Sequence, residues 1–314
     1  MSSDWLLAGV GLAVLLLAGD ALVKGAVNLS LRLGVSAVIV SLTVVAFGTS
    51  APELLVAIQA VAKDAPGIAL GNVVGSNTAN ILLVLGLPAL ISGMNLAGSD
   101  FRKSYLVMLG VSVVFIAFAL TGTLDRWQGA VLLALLAAVL FDQFRALRAD
   151  RAARARVAEP EGANPAMPGW RIGVFLVLGL VGLPLGADIL VDSGSRIARD
   201  FGLSETVIGL TLIALGTSLP ELATTAMAAI RRNADVALGN VLGSNLFNLA
   251  GIAGITSLIA PIAVDPAFLR QDIWVMLGSS VLIAPFILWR RDMNRLVGAG
   301  LCGLYAGYVI LLLT

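Results

Sequence analysis

The chain has 314 residues, 59% hydrophobic and only 12% charged, with a net charge of +1 at pH 7 and a mean hydropathy of +0.97. A water-soluble domain carries about 25% charged residues to solvate its surface, so this balance excludes one, and the near-neutral charge gives no footing for nucleic acid. Histidine is absent and Cys302 is the only cysteine, which removes histidine-based catalysis, most soft-metal sites and any intrachain disulfide. No enzyme chemistry and no cofactor are expected.

In chain order, Met1-Ser2-Ser3-Asp4 lacks the basic stretch of a cleavable signal and runs into a first apolar span over residues 5–27. Further blocks of bilayer-spanning length follow at 37–62, 68–91, 105–121 and 127–144. A polar stretch from Arg145 to Gly169 holds five arginines with Pro160, Pro165 and Pro168, and is too short for a soluble domain. Five more blocks cover 171–195, 206–230, 236–259, 273–289 and 296–313. The alternating segments of about ten residues that a transmembrane barrel needs are missing. The expected fold is an all-α polytopic membrane protein of ten transmembrane helices, divided into residues 1–144, a basic linker 145–169 and residues 170–314.

Lysine and arginine placement sets the orientation. With the N-terminus outside, fifteen of these cations fall on the cytoplasmic side and five outside, namely Lys63, Arg126, Arg196, Arg199 and Arg270. Both termini are therefore expected outside an inner membrane, with the linker cytoplasmic. Asp20 and Lys24, four apart near the inner end of the first span, read as an ion pair, and Asp188 occupies the place of Asp20 in the second half.

Residues 20–80 align without a gap onto 188–248 at a constant offset of 168, with 24 identities over 61 positions. Gly48-Thr49-Ser50-Ala51-Pro52-Glu53 recurs as Gly216-Thr217-Ser218-Leu219-Pro220-Glu221, and the run from Gly71 to Asn80 recurs from Gly239 to Asn248. Each half has five spans, an odd number, so the second copy is expected to cross the membrane upside down. The repeat cores are 37–91 and 206–259.

The duplicated segments carry the chemistry. Pro52 and Pro220 lack an N–H and break the helix at matching places, and inverted repeats with matched breaks mark a secondary transporter with a midplane site. A glutamate in a bilayer costs at least about 2.5 kcal/mol on insertion scales, so each of the two is by default expected to serve function. Thr49, Ser50 and Glu53 share a face, as do Thr217, Ser218 and Glu221. Asn72, Ser76 and Asn80 recur every fourth residue, as do Asn240, Ser244 and Asn248. Gly71 and Gly75, with Gly239 and Gly243, are expected to let helices approach closely. Two carboxylates with hydroxyl, amide and carbonyl oxygens make a site for a hard cation, and Ca²⁺ takes 6–8 oxygens.

The G-T-S-x-P-E and G-N-x-x-G-S-N segments resemble the α-repeats of the sodium/calcium exchanger family, prokaryotic type, over nearly the whole chain. The resemblance implies Ca²⁺ exchange for Na⁺, with H⁺ or K⁺ as alternative driving ions, and inorganic cations and the bilayer as the only partners of a monomer. It implies that Glu53 and Glu221 are shared among the ion sites and that Thr49 and Thr217 help hold Ca²⁺. Ser50, Ser76, Ser218 and Ser244, with the carbonyls of Ala46 and Ala214, would complete Na⁺ sites, and Asn80 and Asn248 would line the centre. It also implies that the first and sixth helices slide over the core. Many members carry an aspartate where this chain has Asn80 or Asn248, so two acids are expected here instead of three.

Overall fold

A computed structural model describes residues 2–63, 65–96, 100–149, 164–202 and 214–313. The first half runs α1 (Ser2–Leu33), α2 (Ala37–Thr49), α3 (Ala51–Ala62), α4 (Pro66–Ser92), α5 (Arg102–Ala119) and α6 (Arg126–Ala149). The second runs α7 (Gly169–Asp200), a turn of helix at Ala214–Gly216, α8 (Leu219–Ile230), α9 (Ala234–Ile259), α10 (Phe268–Leu288) and α11 (Arg295–Leu313).

Seven of the described helices are long and apolar enough to cross a membrane, and α2 with α3, bent by 44° between them, would make an eighth. That set is smaller than the ten spans read from the sequence. Of the expected span 206–230, residues up to 213 lie outside those described, and α8 by itself is short. Helix α6 carries Arg126, Asp142 and Arg145 near its ends and falls outside the set. It also continues to Ala149, into the stretch assigned to the linker. Most of the basic run there lies outside the described residues. The fold is not purely helical either, because β1 (Thr123–Leu124) pairs antiparallel with β2 (Ile262–Ala263).

Burial is inverted relative to a soluble protein. Leucines, valines and phenylalanines cover the outside, whereas Glu53, Glu221 and a group of serines, threonines and asparagines are buried. All five tryptophans, Trp5, Trp127, Trp170, Trp274 and Trp289, are exposed at or near helix ends, where a membrane–water boundary favours an amphipathic ring.

Sequence explains much of the local structure. Helices α1 and α7, 32 residues each, reach about 48 Å, more than the hydrocarbon thickness of about 30 Å, and both extend past their expected ends. Each stops at a glycine with positive φ, Gly34 at 67° and Gly202 at 80°, a conformation that a Cβ disfavours. These glycines are themselves 168 apart. Helices α1 and α7 pack along each other, and α4 and α9 run through the middle of the bundle. Gly239 and Gly243 make the expected close approach. A Cβ on Gly243 would lie 2.6 Å from the Ala46 Cβ and 2.8 Å from the Leu42 carbonyl. Gly71 and Gly75 do not repeat it, since a Cβ there meets nothing within 4 Å among the described residues.

Candidate functional site

The backbone breaks at the same point in each half. Ser50 (φ −84°, ψ 6°) separates α2 from α3, and Ser218 (φ −89°, ψ 1°) precedes α8. Pro52 and Pro220 then stand in the first turn, where a missing N–H costs least. Glu53 and Glu221 follow, also in the first turn, where the helix dipole favours negative charge. Both glutamates are fully buried.

Helices α4 and α9 supply the facing walls. Asn80 opens a π-helical segment in α4 (Asn80–Val84), and Asn248 lies in another in α9 (Phe247–Ile252). Such wide turns cluster at functional sites because they re-aim side chains and carbonyls. The periodicity read from the sequence gave no hint of them. Each of these two π segments packs against the glutamate helix of the other half, α8 against Asn80–Val84 and α3 against Phe247–Ile252. The two halves therefore share one polar centre.

Hydrogen bonds across that centre are concentrated on Glu221. Ser50 Oγ donates to Glu221 Oε1 at 3.0 Å, and Ser244 Oγ lies 3.4 Å from the same oxygen. Thr49 Oγ1 is 3.2 Å from Asn240 Oδ1, 3.3 Å from the Ala46 carbonyl and 3.5 Å from Ser244 Oγ. The Ala46 carbonyl also accepts from the Ser50 N–H at 3.0 Å. Asn72 Nδ2 donates to the Glu53 carbonyl at 3.0 Å, and Asn240 Nδ2 to the Glu221 carbonyl at 3.4 Å and to Thr225 Oγ1 at 3.1 Å. Asn80 Nδ2 donates across the repeat boundary to Asn245 Oδ1 at 3.0 Å.

Several buried polar atoms have no hydrogen bond within 3.5 Å among the described residues. They are both carboxylate oxygens of Glu53, Oε2 of Glu221, the hydroxyls of Thr217, Ser218 and Thr224, Oδ1 of Asn77 and Asn80, and both amide atoms of Asn248. Apart from Gln143 on α6, all such atoms among the described residues belong to α3, α4, α8, α9 or the turn before α8. An unpartnered buried polar atom costs about 1–3 kcal/mol. A concentration of them, nearly all oxygen, fits a hard cation as ligand. No group of three or more His, Cys, Asp or Glu converges among the described residues, so the acids of the centre are the two glutamates.

Of the remaining expected residues, Ser76 is buried on α4, and Ala214 begins the turn before α8. Sequence reasoning missed Asn77 and Asn245, although both stand in the duplicated Gly-Ser-Asn segment. It also missed Thr224 and Thr225, whose counterparts at the offset are Val56 and Ala57. Two adjacent hydroxyls without a partner in the other repeat were the available signal.

Buried, unpartnered oxygens in the middle of an apolar helical bundle fit a membrane transporter of inorganic cations. The family model for sodium/calcium exchanger protein matches residues 3–145 and again residues 172–314, and the chain belongs to that family. It is 36% identical to the inner membrane protein YrbG of Escherichia coli (strain K12), over 96% of this chain and 93% of that one. It is 32% identical to the sodium/calcium exchanger MaX1 of Methanosarcina acetivorans, over 98% of each. A solved structure of the sodium-calcium exchanger NCX_Mj superposes with a TM-score of 0.82 at 32% identity, covering 99% of this chain and 98% of that one.

Proposed function

We propose that this antiporter exchanges Ca²⁺ for Na⁺ at the Glu53–Glu221 centre, by alternating access of that one centre to the two sides of the membrane. The observation that carries this reading is the gathering of unpartnered oxygens around two buried carboxylates. Two carboxylates balance one divalent ion, and charges taken out of water are tolerable only when so compensated. Neutral hydroxyl, amide and carbonyl oxygens complete the shell without adding charge, as Ca²⁺ and Na⁺ coordination requires.

In this reading Glu53 and Glu221 belong to every ion site, and Thr49 and Thr217 contribute to the Ca²⁺ site. Ser50, Ser76, Ser218 and Ser244, with the carbonyls of Ala46 and Ala214, serve flanking Na⁺ sites, and Asn80 and Asn248 line the centre between them. Because both ions need the same two carboxylates, bound Na⁺ and bound Ca²⁺ exclude each other, and that exclusion makes transport an exchange. The scaffold is ten spans in two inverted five-helix repeats joined by the 145–169 linker. The match of one family model to both halves and the 168-residue offset support it. So do the cross-links Thr123↔Ala263 and Met94↔Met293, each of which joins the connection after the third span of one half to the connection after the fourth span of the other, as an inverted pair of repeats requires. The chain works as a monomer in an inner membrane, both termini outside and the linker cytoplasmic.

The test is Ca²⁺ flux into proteoliposomes under an imposed Na⁺, pH or K⁺ gradient. Uptake driven by Na⁺ alone is expected. Uptake driven by the pH gradient and indifferent to Na⁺ would assign a proton-coupled antiporter instead.

A further inference from the structure

The two first helices of the halves, α1 and α7, do not lean on the core equally. Helix α1 lies along α8, the Glu221 helix. A Cβ on Gly19 of α1 would sit 3.0 Å from the Ala223 carbonyl and 3.3 Å from the Thr224 nitrogen. Ala223 is accordingly 7% exposed and Thr224 fully buried. At the repeat offset the same contact would be Ala187 of α7 over Leu55 and Val56 of α3. Leu55 is 60% exposed and Val56 36%, so α7 leaves that surface uncovered.

A charged contact follows the same asymmetry. Arg231, just past the end of α8, donates from Nε to Asp20 on α1, and Lys24 Nζ lies 2.8 Å from the other Asp20 oxygen. The Asp20 side chain is only 18% exposed and that of Arg231 27%. Subtracting 168 from Arg231 gives Lys63, just past the end of α3, and adding 168 to Asp20 gives Asp188 on α7. The opposite charges are therefore kept in the second copy. Lys63 and Asp188 are both exposed, and neither has an ion pair among the described residues.

From this we infer that Asp20–Arg231 and Asp188–Lys63 are two latches that close alternately, one in each access state of the exchanger. The proposal rests on the alternating-access reading. Two sequence-related halves that take unequal conformations have a second arrangement of comparable energy in which the conformations are exchanged, and this is how repeat transporters turn a single centre toward either side. In the exchanged arrangement α7 covers Leu55 and Val56, Asp188 meets Lys63, and α1 withdraws from Ala223 and Thr224 as Asp20 releases Arg231. The uncovered face of α8 would then run from Glu221 through Thr224 toward Arg231, spaced three and seven residues apart on one side of the helix, and give ions a path out of the centre. These four residues act on the equilibrium between states and not as ion ligands. With the orientation proposed above, the closed Asp20–Arg231 latch seals the cytoplasmic side.

The experiment combines two readouts in a Cys302→Ala background. A Leu55→Cys/Ala187→Cys pair is tested for disulfide formation, which reports α7 over α3 without requiring transport. Half-saturating Ca²⁺ is measured separately at each membrane face in oriented vesicles. Asp20→Asn should raise the yield of the cysteine bridge and weaken Ca²⁺ binding about three- to tenfold at the face open in this structure, while tightening it at the other. Lys63→Gln should move both readouts in the opposite direction, and the double variant Asp20→Asn/Lys63→Gln should return toward the parent. Single variants that shift in the same direction, or a double variant that adds their effects, would overturn the inference. Absence of Na⁺-driven exchange in the parent would count against the transport reading alone, because bridge yields still decide the latch.

Discussion

Glu53 and Glu221 stand in duplicated sequence, yet their surroundings differ. Ser50 and Ser244 hold one oxygen of Glu221, whereas Ser218, the counterpart of Ser50, lies beside Glu53 without closing a hydrogen bond within 3.5 Å, and neither Glu53 oxygen has such a bond among the described residues. Thr49 bridges toward Asn240 and Ser244 while Thr217 Oγ1 has no hydrogen bond among the described residues. The Glu221 helix is covered by α1, and the Glu53 helix is left bare by α7. A shared sequence thus fixes which atoms each half offers, while the packing of α1 and α7 decides which half is tied into the protein.

The largest expected effect ignores this difference. Glu53→Gln and Glu221→Gln each remove one of the two charges facing a divalent ion, and losing a partner of a buried charge costs about 3–5 kcal/mol. Na⁺-driven Ca²⁺ uptake should fall at least about 100-fold for both variants. Uptake lost in only one would mean that the halves differ in chemistry and not only in packing.

The serines should separate the halves. Ser50→Ala deletes a hydrogen bond to a carboxylate, worth about 1.5–3 kcal/mol, and should lower the melting temperature of the chelator-treated protein. Ser218→Ala deletes a hydroxyl that closes no hydrogen bond within 3.5 Å among the described residues and should lower that melting temperature much less. Because a ligand stabilises only the form that binds it, Ser218→Ala should instead reduce the extra stability that added Ca²⁺ confers. Equal effects in chelator would erase the distinction between the halves.

Helix approach provides a third contrast. Gly243→Val places carbons against Ala46 and Leu42 and should destabilise by about 1–3 kcal/mol. Gly75→Val meets open space among the described residues and should cost little, as chemical unfolding of the two variants would show. The smallest effect belongs to Thr224→Val, which installs the residue type of Val56. Replacing an unpartnered buried hydroxyl by an apolar group of similar shape should be neutral or stabilise by up to about 1 kcal/mol, again read from unfolding.

The sequence made the paired glutamates legible because a proline break beside a buried acid, occurring twice at one offset, has few other uses in a membrane. The apolar blocks likewise located the helices, although α1, α6 and α7 run past their expected ends because their terminal turns are polar. Other features depend on contacts that periodicity does not encode. The π segments at Asn80–Val84 and Phe247–Ile252 arise from packing inside α4 and α9. Gly71 and Gly75 carry the same motif as Gly239 and Gly243, but only the latter pair lies against α2. Asn245, which accepts from Asn80, was visible as a repeated residue, yet its cross-repeat partner appears only when the halves are brought together. The Asp20–Lys24 pair was read correctly, whereas its third member, Arg231, is 211 residues away from Asp20 and no local pattern points to it.

The central claim is that one centre, built from both glutamates, holds either Ca²⁺ or Na⁺ but not both. Equilibrium Ca²⁺ binding to the purified protein, titrated with Na⁺ against a background of a bulky inert cation, tests it directly. Saturable Ca²⁺ binding that Na⁺ displaces competitively, and that disappears in both Glu53→Gln and Glu221→Gln, is the predicted result. Ca²⁺ binding that survives in either variant, or that Na⁺ leaves undisturbed in the parent, would contradict the account.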